Sequence, residues 1–195
     1  IKLIGDKSLS KRDFERVSNP LSKFGANFKL KNNKNLPLII NGASNLKPIK
    51  YFEKRGSAQC KSAVIFGAFR SKGTTVIKAK KSRNHTELLC QHLKLPLTIK
   101  SKKEHDIIKI KNIKNIKKLN YEIPSDISSS AFFIALTALN KDSSLLIKNV
   151  NINSSRIGII KILQKMGVKI TFKNKRIYKG EQNADVLVKS PRKLK

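Results

Sequence analysis

Residues 159–172 read IIKILQKMGVKITF, and this stretch decides the fold. Up to Met166 the apolar residues recur with the 3.6-residue period of a helix, and after Gly167 they alternate with the two-residue period of a strand. A glycine at this junction suits the left-handed conformation that ends many helices. The same change of period follows Phe24-Gly25 and Leu93-Lys94. The chain therefore contains a helix-then-strand unit that recurs about every 70 residues.

The segments between these units predict the rest of an α/β fold. The lysine-rich residues 100–118 alternate in part like a strand, which argues against a disordered linker. A new strand-cap-helix unit begins near residues 120–124, so we expect a domain boundary at about residue 123 and domains over residues 1–123 and 124–195. Six further β-rich stretches complete the arrangement, at residues 36–40, 49–51, 74–79, 106–110, 144–149 and 176–179.

Composition limits the classes of protein to which the chain can belong. Its 195 residues are 39% hydrophobic, which is too apolar for a disordered basic tail, and no apolar run approaches the length of a membrane span. The N-terminal residues lack the pattern of a signal peptide. Cys60 and Cys90 lie in apolar, helix-like stretches without metal-ligand spacing, so we expect two buried thiols, no metal site and a cytoplasmic, soluble chain.

The charge balance raises the question of nucleic-acid binding. Lys+Arg number 43 against 12 Asp+Glu, a formal net charge of +31. The sequence pattern predicts that the lysines lie on both strand faces and on helices. Aromatic residues are 6% and Trp is absent, so few side chains are available to stack on the bases of a single strand. Joint enrichment in Lys, Ile and Asn is what an AT-rich coding sequence gives. We therefore expect no nucleic-acid partner, but a basic nucleic-acid-binding module stays an alternative, which would require lysines gathered on one face along a continuous groove.

The predicted helix starts are rich in hydrogen-bonding side chains. Asn84 and Glu87 have the spacing of a capping box, and Ser125 or Asp126 is the expected cap of the helix over residues 129–139. The segment Gly56-Ser57-Ala58-Gln59 differs because it opens the most apolar helix, residues 60–69. Free backbone N–H groups at the start of such a helix, together with Ser and Gln side chains, form a candidate anion site.

Several motifs in order make the sequence similar to the 5-enolpyruvylshikimate-3-phosphate synthase family. They cover nearly all of the chain and are GDKSLSKR at residues 5–12, NPLSKFGA at 19–26, GSAQCKSA at 56–63, SRNHTE at 82–87, PSDISSSAFF at 124–133 and RIG at 156–158 through Met166-Gly167. The resemblance implies repeated βαβαββ units of the two-lobed enolpyruvyl transferase fold, an inside-out α/β barrel that is incomplete here. It also implies transfer of the enolpyruvyl group of phosphoenolpyruvate to the 5-hydroxyl of shikimate 3-phosphate through a tetrahedral intermediate, with release of phosphate and without a metal or organic cofactor.

The resemblance carries over to individual residues. Arg12 falls on the arginine that grips phosphoenolpyruvate, although Asp13 and Phe14 follow it where the family has Pro and Met or Ile. Lys61 is expected to support the site, and Asn84 and His85 are read as a cap and a first-turn helix residue. Gln59 is expected to contact both substrates, and the residues expected to bind shikimate 3-phosphate are Ser57, Ala58, Gln59, Ser82 and Arg83.

Other family features have no match within this sequence. The family's Lys-Ser…Arg motif and its acidic catalytic residue match no part of the 195 residues, so the sequence predicts no catalytic residue here and an inactive isolated chain. The expected partners are the two small-molecule substrates, with no membrane partner and a monomeric full-length enzyme. The nearest alternative is the sister transferase that acts on UDP-N-acetylglucosamine, which uses a Cys in an exposed loop; Cys60 and Cys90 do not lie in such a loop.

Overall fold

The computed structural model describes residues 1–194, which form two compact units. One unit comprises residues 1–86 and 93–116, and the other comprises residues 87–92 and 117–194. The strands are β1 (Lys2–Leu3), β2 (Asn27–Lys31), β3 (Asn35–Asn41), β4 (Lys50–Glu53), β5 (Thr74–Lys80), β6 (Leu97–Ser101), β7 (His105–Lys111), β8 (Ser144–Asn151), β9 (Lys169–Tyr178) and β10 (Glu181–Lys189). The helices are α1 (Glu15–Ser22), α2 (Ala58–Ala68), α3 (His85–His92), α4 (Ile127–Leu139) and α5 (Gly158–Lys165), and a 3₁₀ turn spans Leu9–Lys11.

The middle of the chain is one complete βαβαββ unit, as the resemblance implies. Its order along the chain is β4-α2-β5-α3-β6-β7, and its four strands lie side by side in the order β4-β5-β7-β6. β4 and β5 are parallel, whereas β7 is antiparallel to both β5 and β6. A parallel pair requires a crossover connection, and the helix α2 provides it.

The segments on either side repeat the same topology. After residue 124, Ser125 forms an isolated parallel bridge to Val150 in the position of a first strand, and α4-β8-α5-β9-β10 follow. The sheet order β8-β10-β9 matches β5-β7-β6 of the complete unit. Before residue 42, the sheet β1-β3-β2 has the same order, again with antiparallel pairs. The recurrence read from the sequence is therefore a recurrence of whole sheets.

The predicted boundaries of the strand after α5 differ from those of β9 in the structure. The sequence pattern predicts a strand that ends at Phe172 and a separate one at residues 176–179, whereas β9 runs without a break to Tyr178. Asn174 has a left-handed φ of 49°, and the pairing of β9 with β10 shifts register between Asn183 and Asp185. The polar stretch that resembles a turn is therefore an irregularity inside a long strand. The central strand β10, which follows the tight turn at Lys179-Gly180, was not predicted.

Each unit has its own apolar core. In the first unit the fully buried side chains include Ile65, Ile77 and Ile108, which come from α2, β5 and β7. In the second, Ile134 of α4 packs with Val150 and Val186 of the sheet. Burying one such side chain contributes about 1.5–3 kcal/mol, so each core holds its helices firmly against its strands. The start of α2 is thereby fixed relative to the end of β4.

The predicted burial of the two cysteines is confirmed. Cys60 and Cys90 are both buried free thiols. Within residues 1–194, His, Cys, Asp and Glu nowhere form a group of three or more that could hold a metal ion. In the same residues no helix has both the length and the apolar character that crossing a membrane requires.

Candidate functional site

The candidate site lies where the parallel strands β4 and β5 end. Glu53, the last residue of β4, pairs with Ala79, so the segments that follow the two strands leave the same edge of the sheet. The first segment turns at Gly56, whose φ of +70° favours glycine, and leads into α2. The second leads through Ser82 and Arg83 into α3. In α/β sheets, ligands bind in this region, outside the carboxyl ends of parallel strands.

The start of α2 has the features of an anion site. Ser57 is the N-cap, and its hydroxyl accepts a hydrogen bond from the Cys60 N–H at 3.3 Å. The first turn contains no acidic residue, and Ala58 and Gln59 follow directly. Because backbone N–H groups in a first turn have no partner within the helix, this end of α2 attracts negative charge.

At the equivalent helix start in the next repeat, that of α4, a carboxylate already balances the positive end of the helix. Asp126 is the N-cap of α4 and accepts hydrogen bonds from the N–H groups of Ser128 and Ser129. Arg156 donates to Asp126 Oδ1 at 2.9 Å. Partial desolvation raises the pKa of this carboxyl, but the Ser128 and Ser129 hydrogen bonds and the Arg156 charge together lower it below its ordinary value. Of the two equivalent helix starts, only that of α2 lacks a charged cap of its own.

Lys61 joins α2 to the loop that carries Ser82 and Arg83. Its side chain is only 1% exposed, and its ammonium group donates to the Arg83 carbonyl at 2.9 Å. A second link connects the hydroxyls of Ser62 and Thr86, whose oxygens are 2.6 Å apart. Lys61 thus links the first turns of α2 to the Arg83 backbone. These contacts hold the Ser57 and Arg83 segments in one place.

The side chains of Ser82 and Arg83 differ in exposure. The Ser82 hydroxyl is buried and has no hydrogen-bond partner among the described residues. A buried hydroxyl without a partner costs free energy unless a ligand or water satisfies it. Arg83 is exposed at the surface. The loop therefore offers one unsatisfied hydroxyl and one solvated guanidinium close to the α2 start.

Gln59 has a partner that sequence reasoning missed. Arg16, on the exposed side of α1, donates from Nη2 to Gln59 Oε1 at 2.9 Å. This contact fixes the amide so that its Nε2 donors face away from Arg16. α1 approaches α2 closely, since a Cβ at Gly67 would lie 3.2 Å from the Leu21 side chain. In the sequence Arg16 stands only four residues after Arg12, but its contact with a residue 43 positions away is not visible in a local pattern.

The structure does not join Arg12 to these groups. Arg12 ends the 3₁₀ turn, where its N–H donates to the Leu9 carbonyl and its own carbonyl accepts from Asn35. Its side chain is exposed, and within residues 1–194 it makes no hydrogen bond to Ser57 or Gln59. Asp13, which stands where the family has Pro, accepts a hydrogen bond from the Glu15 N–H at 2.8 Å and so begins α1.

A small cavity of about 230 Å³ adjoins the Arg16–Gln59 contact. It is lined by Arg16, Tyr51 and Glu53, among others. Glu53 is 2% exposed; its Oε1 accepts from the Arg55 N–H at 3.0 Å, whereas Oε2 has no hydrogen-bond partner among the described residues. Burial, then the neighbouring Cys60 and Glu53, raise the pKa of Tyr51, so its phenol stays protonated at neutral pH. The cavity lies between the end of β4 and helix α1.

Neither thiol has the properties of a reactive cysteine. Burial, followed by the nearby Glu87 carboxylate, raises the pKa of Cys90 to about 11. A thiol with such a pKa is almost entirely protonated at neutral pH and is a poor nucleophile. Cys60 lies in the first turn of α2 and is 2% exposed. The structure therefore gives no support to a cysteine-dependent transferase.

Comparison with known protein sequences gives a single family. The sequence profile of EPSP synthase (3-phosphoshikimate 1-carboxyvinyltransferase) matches residues 1–194. A protein of Caldicellulosiruptor saccharolyticus named 3-phosphoshikimate 1-carboxyvinyltransferase is 42% identical over 191 residues, which are 96% of this chain and 44% of that protein. A protein of Petrotoga mobilis with the same name is 38% identical over 190 residues, 96% of this chain and 43% of that protein. The chain thus spans less than half the length of these curated relatives.

Solved structures show the same fold. An EPSP synthase from Acinetobacter baumannii superposes with a TM-score of 0.84 at 34% identity, covering 100% of this chain and 43% of that one. An enolpyruvyl transferase from Streptomyces tendae superposes with a TM-score of 0.60 over 94% of this chain and 43% of that one. At 14% identity the second likeness concerns the fold alone.

Proposed function

The chain belongs to the EPSP synthase family, and from this premise we propose that it contributes to transfer of the enolpyruvyl group of phosphoenolpyruvate to the 5-hydroxyl of shikimate 3-phosphate. In this reaction the hydroxyl oxygen bonds to C2 of phosphoenolpyruvate as a proton adds to its methylene carbon. Loss of phosphate and of one methyl proton then restores the double bond. The products are 5-enolpyruvylshikimate 3-phosphate and inorganic phosphate.

One observation carries the proposal: the start of α2 is an uncharged helix N-terminus tied to a loop with an arginine. Ser57 caps the helix, and Lys61 holds the Arg83 segment against it. We assign Ser57, Ala58 and Gln59 to the phosphate and hydroxyl groups of shikimate 3-phosphate because first-turn N–H groups bind such anions. Ser82 supplies the unsatisfied hydroxyl and Arg83 the charge-assisted hydrogen bond.

The phosphoenolpyruvate end of the proposed site has two contributors. Arg12 would bind a carboxylate or phosphate in a two-pronged contact, to which its exposed guanidinium is suited. Gln59 would donate from Nε2 while Arg16 holds its carbonyl oxygen. Because the two substrates carry several negative charges, holding them together requires such cationic and hydrogen-bonding groups. The chemistry that moves the protons is assigned to no residue of this chain.

The remaining assignments follow from the family. We propose that residues 1–123 belong to an N-terminal lobe and residues 124–195 to a C-terminal lobe; apart from residues 87–92, the compact units change between residues 116 and 117. The proposed setting is a cytoplasmic, monomeric biosynthetic enzyme with no organic cofactor.

Turnover by a chimera tests the proposal. In the Caldicellulosiruptor saccharolyticus relative, residues 1–194 of this chain would replace the matching segment, and phosphate release from phosphoenolpyruvate would be measured with and without shikimate 3-phosphate. Arg83→Met removes a charge-assisted hydrogen bond worth about 1.5–3 kcal/mol, so we expect kcat/KM to fall roughly 10- to 100-fold. The control is Arg70→Met, which removes an exposed arginine at the other end of α2.

The two variants give opposite expectations. Arg70→Met should leave turnover unchanged, because its side chain lies away from the proposed site. A folded chimera that releases no phosphate when both substrates are present, or equal losses in the two variants, would contradict the assignment of this region to shikimate 3-phosphate.

A further inference from the structure

The outward face of the four-stranded sheet β4-β5-β7-β6 has an unusual distribution of charge. Residues that pair across strands share a face, and the pairs Phe52–Lys78, Lys78–Ile107 and Lys100–Ile107 place these side chains together. All lysines of the four strands lie on this same face and are exposed: Lys50, Lys78, Lys80, Lys100, Lys109 and Lys111. We call this set the lysine face.

The carboxylates of these strands lie on the opposite side. Glu53 pairs with Ala79, and Ala79 pairs with Asp106, so both acids belong to the face that α2 covers. Ordinary protein surfaces intersperse the two signs of charge, and a surface of one sign creates a field that attracts the opposite charge. The prediction that the lysines lie on both strand faces is wrong for this sheet.

The lysine face continues into a groove of about 850 Å³. Five lysines line the groove, and Glu104 is the one carboxylate among its lining residues. Along a strand, lysines at alternate positions such as Lys78 and Lys80 are about 6.7 Å apart, and neighbouring strands are about 4.8 Å apart. The lysines that line the groove are Lys54, Lys78, Lys80, Lys81 and Lys103.

One aromatic ring stands in the middle of these charges. Phe52 is 48% exposed, although it belongs to a strand. The ammonium groups of Lys54 and Lys78 lie 5.6 Å and 5.0 Å from its ring centroid. An exposed ring in a basic groove is the combination that binds single strands, where phosphates meet the lysines and a base contacts the ring.

From this arrangement we propose that the lysine face, on the side of the sheet opposite α2, is a binding surface for single-stranded nucleic acid. A single small anion fits the surface poorly, because a sheet face directs its backbone N–H groups along the sheet and not outward. Many weak contacts to successive phosphates fit it well, and the net charge of +31 adds long-range attraction. The proposal does not depend on the enolpyruvyl transfer reaction.

Fluorescence anisotropy with a labelled oligothymidine of about 15 nucleotides tests the surface. The face variant carries Lys78→Gln, Lys80→Gln and Lys109→Gln in the full 195-residue chain. The matched control carries Lys161→Gln, Lys165→Gln and Lys173→Gln, three exposed lysines of the other unit, so that both variants lose three charges from +31.

We expect the face variant to bind roughly tenfold or more weakly and to reduce the slope of log affinity against log salt by about 2, since each lost phosphate contact contributes about 0.7. The control should change affinity less than twofold. Equal losses in the two variants, no binding by the unsubstituted chain at low salt, or equal displacement of the oligonucleotide by polyglutamate would overturn the proposal.

Circular dichroism checks that both variants fold. If the face variant does not fold, amide shifts of the unsubstituted chain on titration with the oligonucleotide decide: shifts on β4–β7 support the surface, and shifts spread over both units refute it.

Discussion

Asp126→Ala removes the N-cap of α4, and its cost can be worked out from the contacts. The carboxylate accepts the N–H groups of Ser128 at 3.2 Å and Ser129 at 3.3 Å, and it binds Arg156 at 2.9 Å. Losing a cap costs about 1 kcal/mol, and two accepted N–H groups put this site toward 1.5 kcal/mol. The Asp126 side chain is 51% exposed, so solvent screening limits the Arg156 pair to about 0.5 kcal/mol. We therefore expect a loss of about 2 kcal/mol.

The matched control for this prediction is Asp126→Asn. Asparagine is also a preferred N-cap, but its single amide oxygen can accept only one of the two N–H groups, and it carries no charge toward Arg156. We expect this variant to lose about 1 kcal/mol. Urea denaturation followed by circular dichroism gives both free energies of unfolding. The reasoning is refuted if Asp126→Ala costs less than about 0.5 kcal/mol, or if the two variants are equally destabilised.

Three further predictions concern protonation, positioning and thiol reactivity. Because the folded pKa of Asp126 is lowered, its stabilisation is present above the ordinary value of 3.8 and is lost as the pH falls through the folded pKa. The stability difference between the unsubstituted chain and Asp126→Asn should therefore shrink below pH 3.8 in urea titrations, and a constant difference would contradict the assignment. Arg16→Gln should weaken shikimate 3-phosphate binding by the chimera about two- to tenfold, because one hydrogen bond that orients Gln59 is lost. Arg16→Lys should keep part of the binding affinity, and calorimetry measures both variants. No change in either variant would exclude a positioning role. Cys90, with a pKa of about 11, should react with a maleimide only after unfolding in urea, and rapid labelling of the native chain followed by mass spectrometry would show that its thiol is accessible.

The repeat of the fold could be predicted because it depends on local patterns. At Gly25 and Gly167 the period of the apolar residues changes within a residue or two, and the structure gives both residues a positive φ. The start of α2 at Ser57 and the cap Asp126 depend on side chains next to the helix and were also predictable.

The features that could not be predicted depend on contacts between residues distant in the sequence. The polar residues around Asn174 resemble a turn, and only pairing with β10 shows that they belong to one strand. Arg16 meets Gln59 across 43 positions. The lysine face results from strand register, which assigns every second side chain to the same side, and register is set by pairing over long distances.

An amide NMR titration of the ¹⁵N-labelled chain with shikimate 3-phosphate tests the central claim, that the start of α2 and the loop after β5 bind this phosphate. The account predicts concentration-dependent shifts at Ser57, Ala58, Gln59, Ser82 and Arg83, with much smaller shifts for shikimate, which lacks the phosphate. Weak binding suffices, because shifts report millimolar affinities. Shifts confined to other residues, or no shifts at these five amides at saturating ligand, would contradict the account.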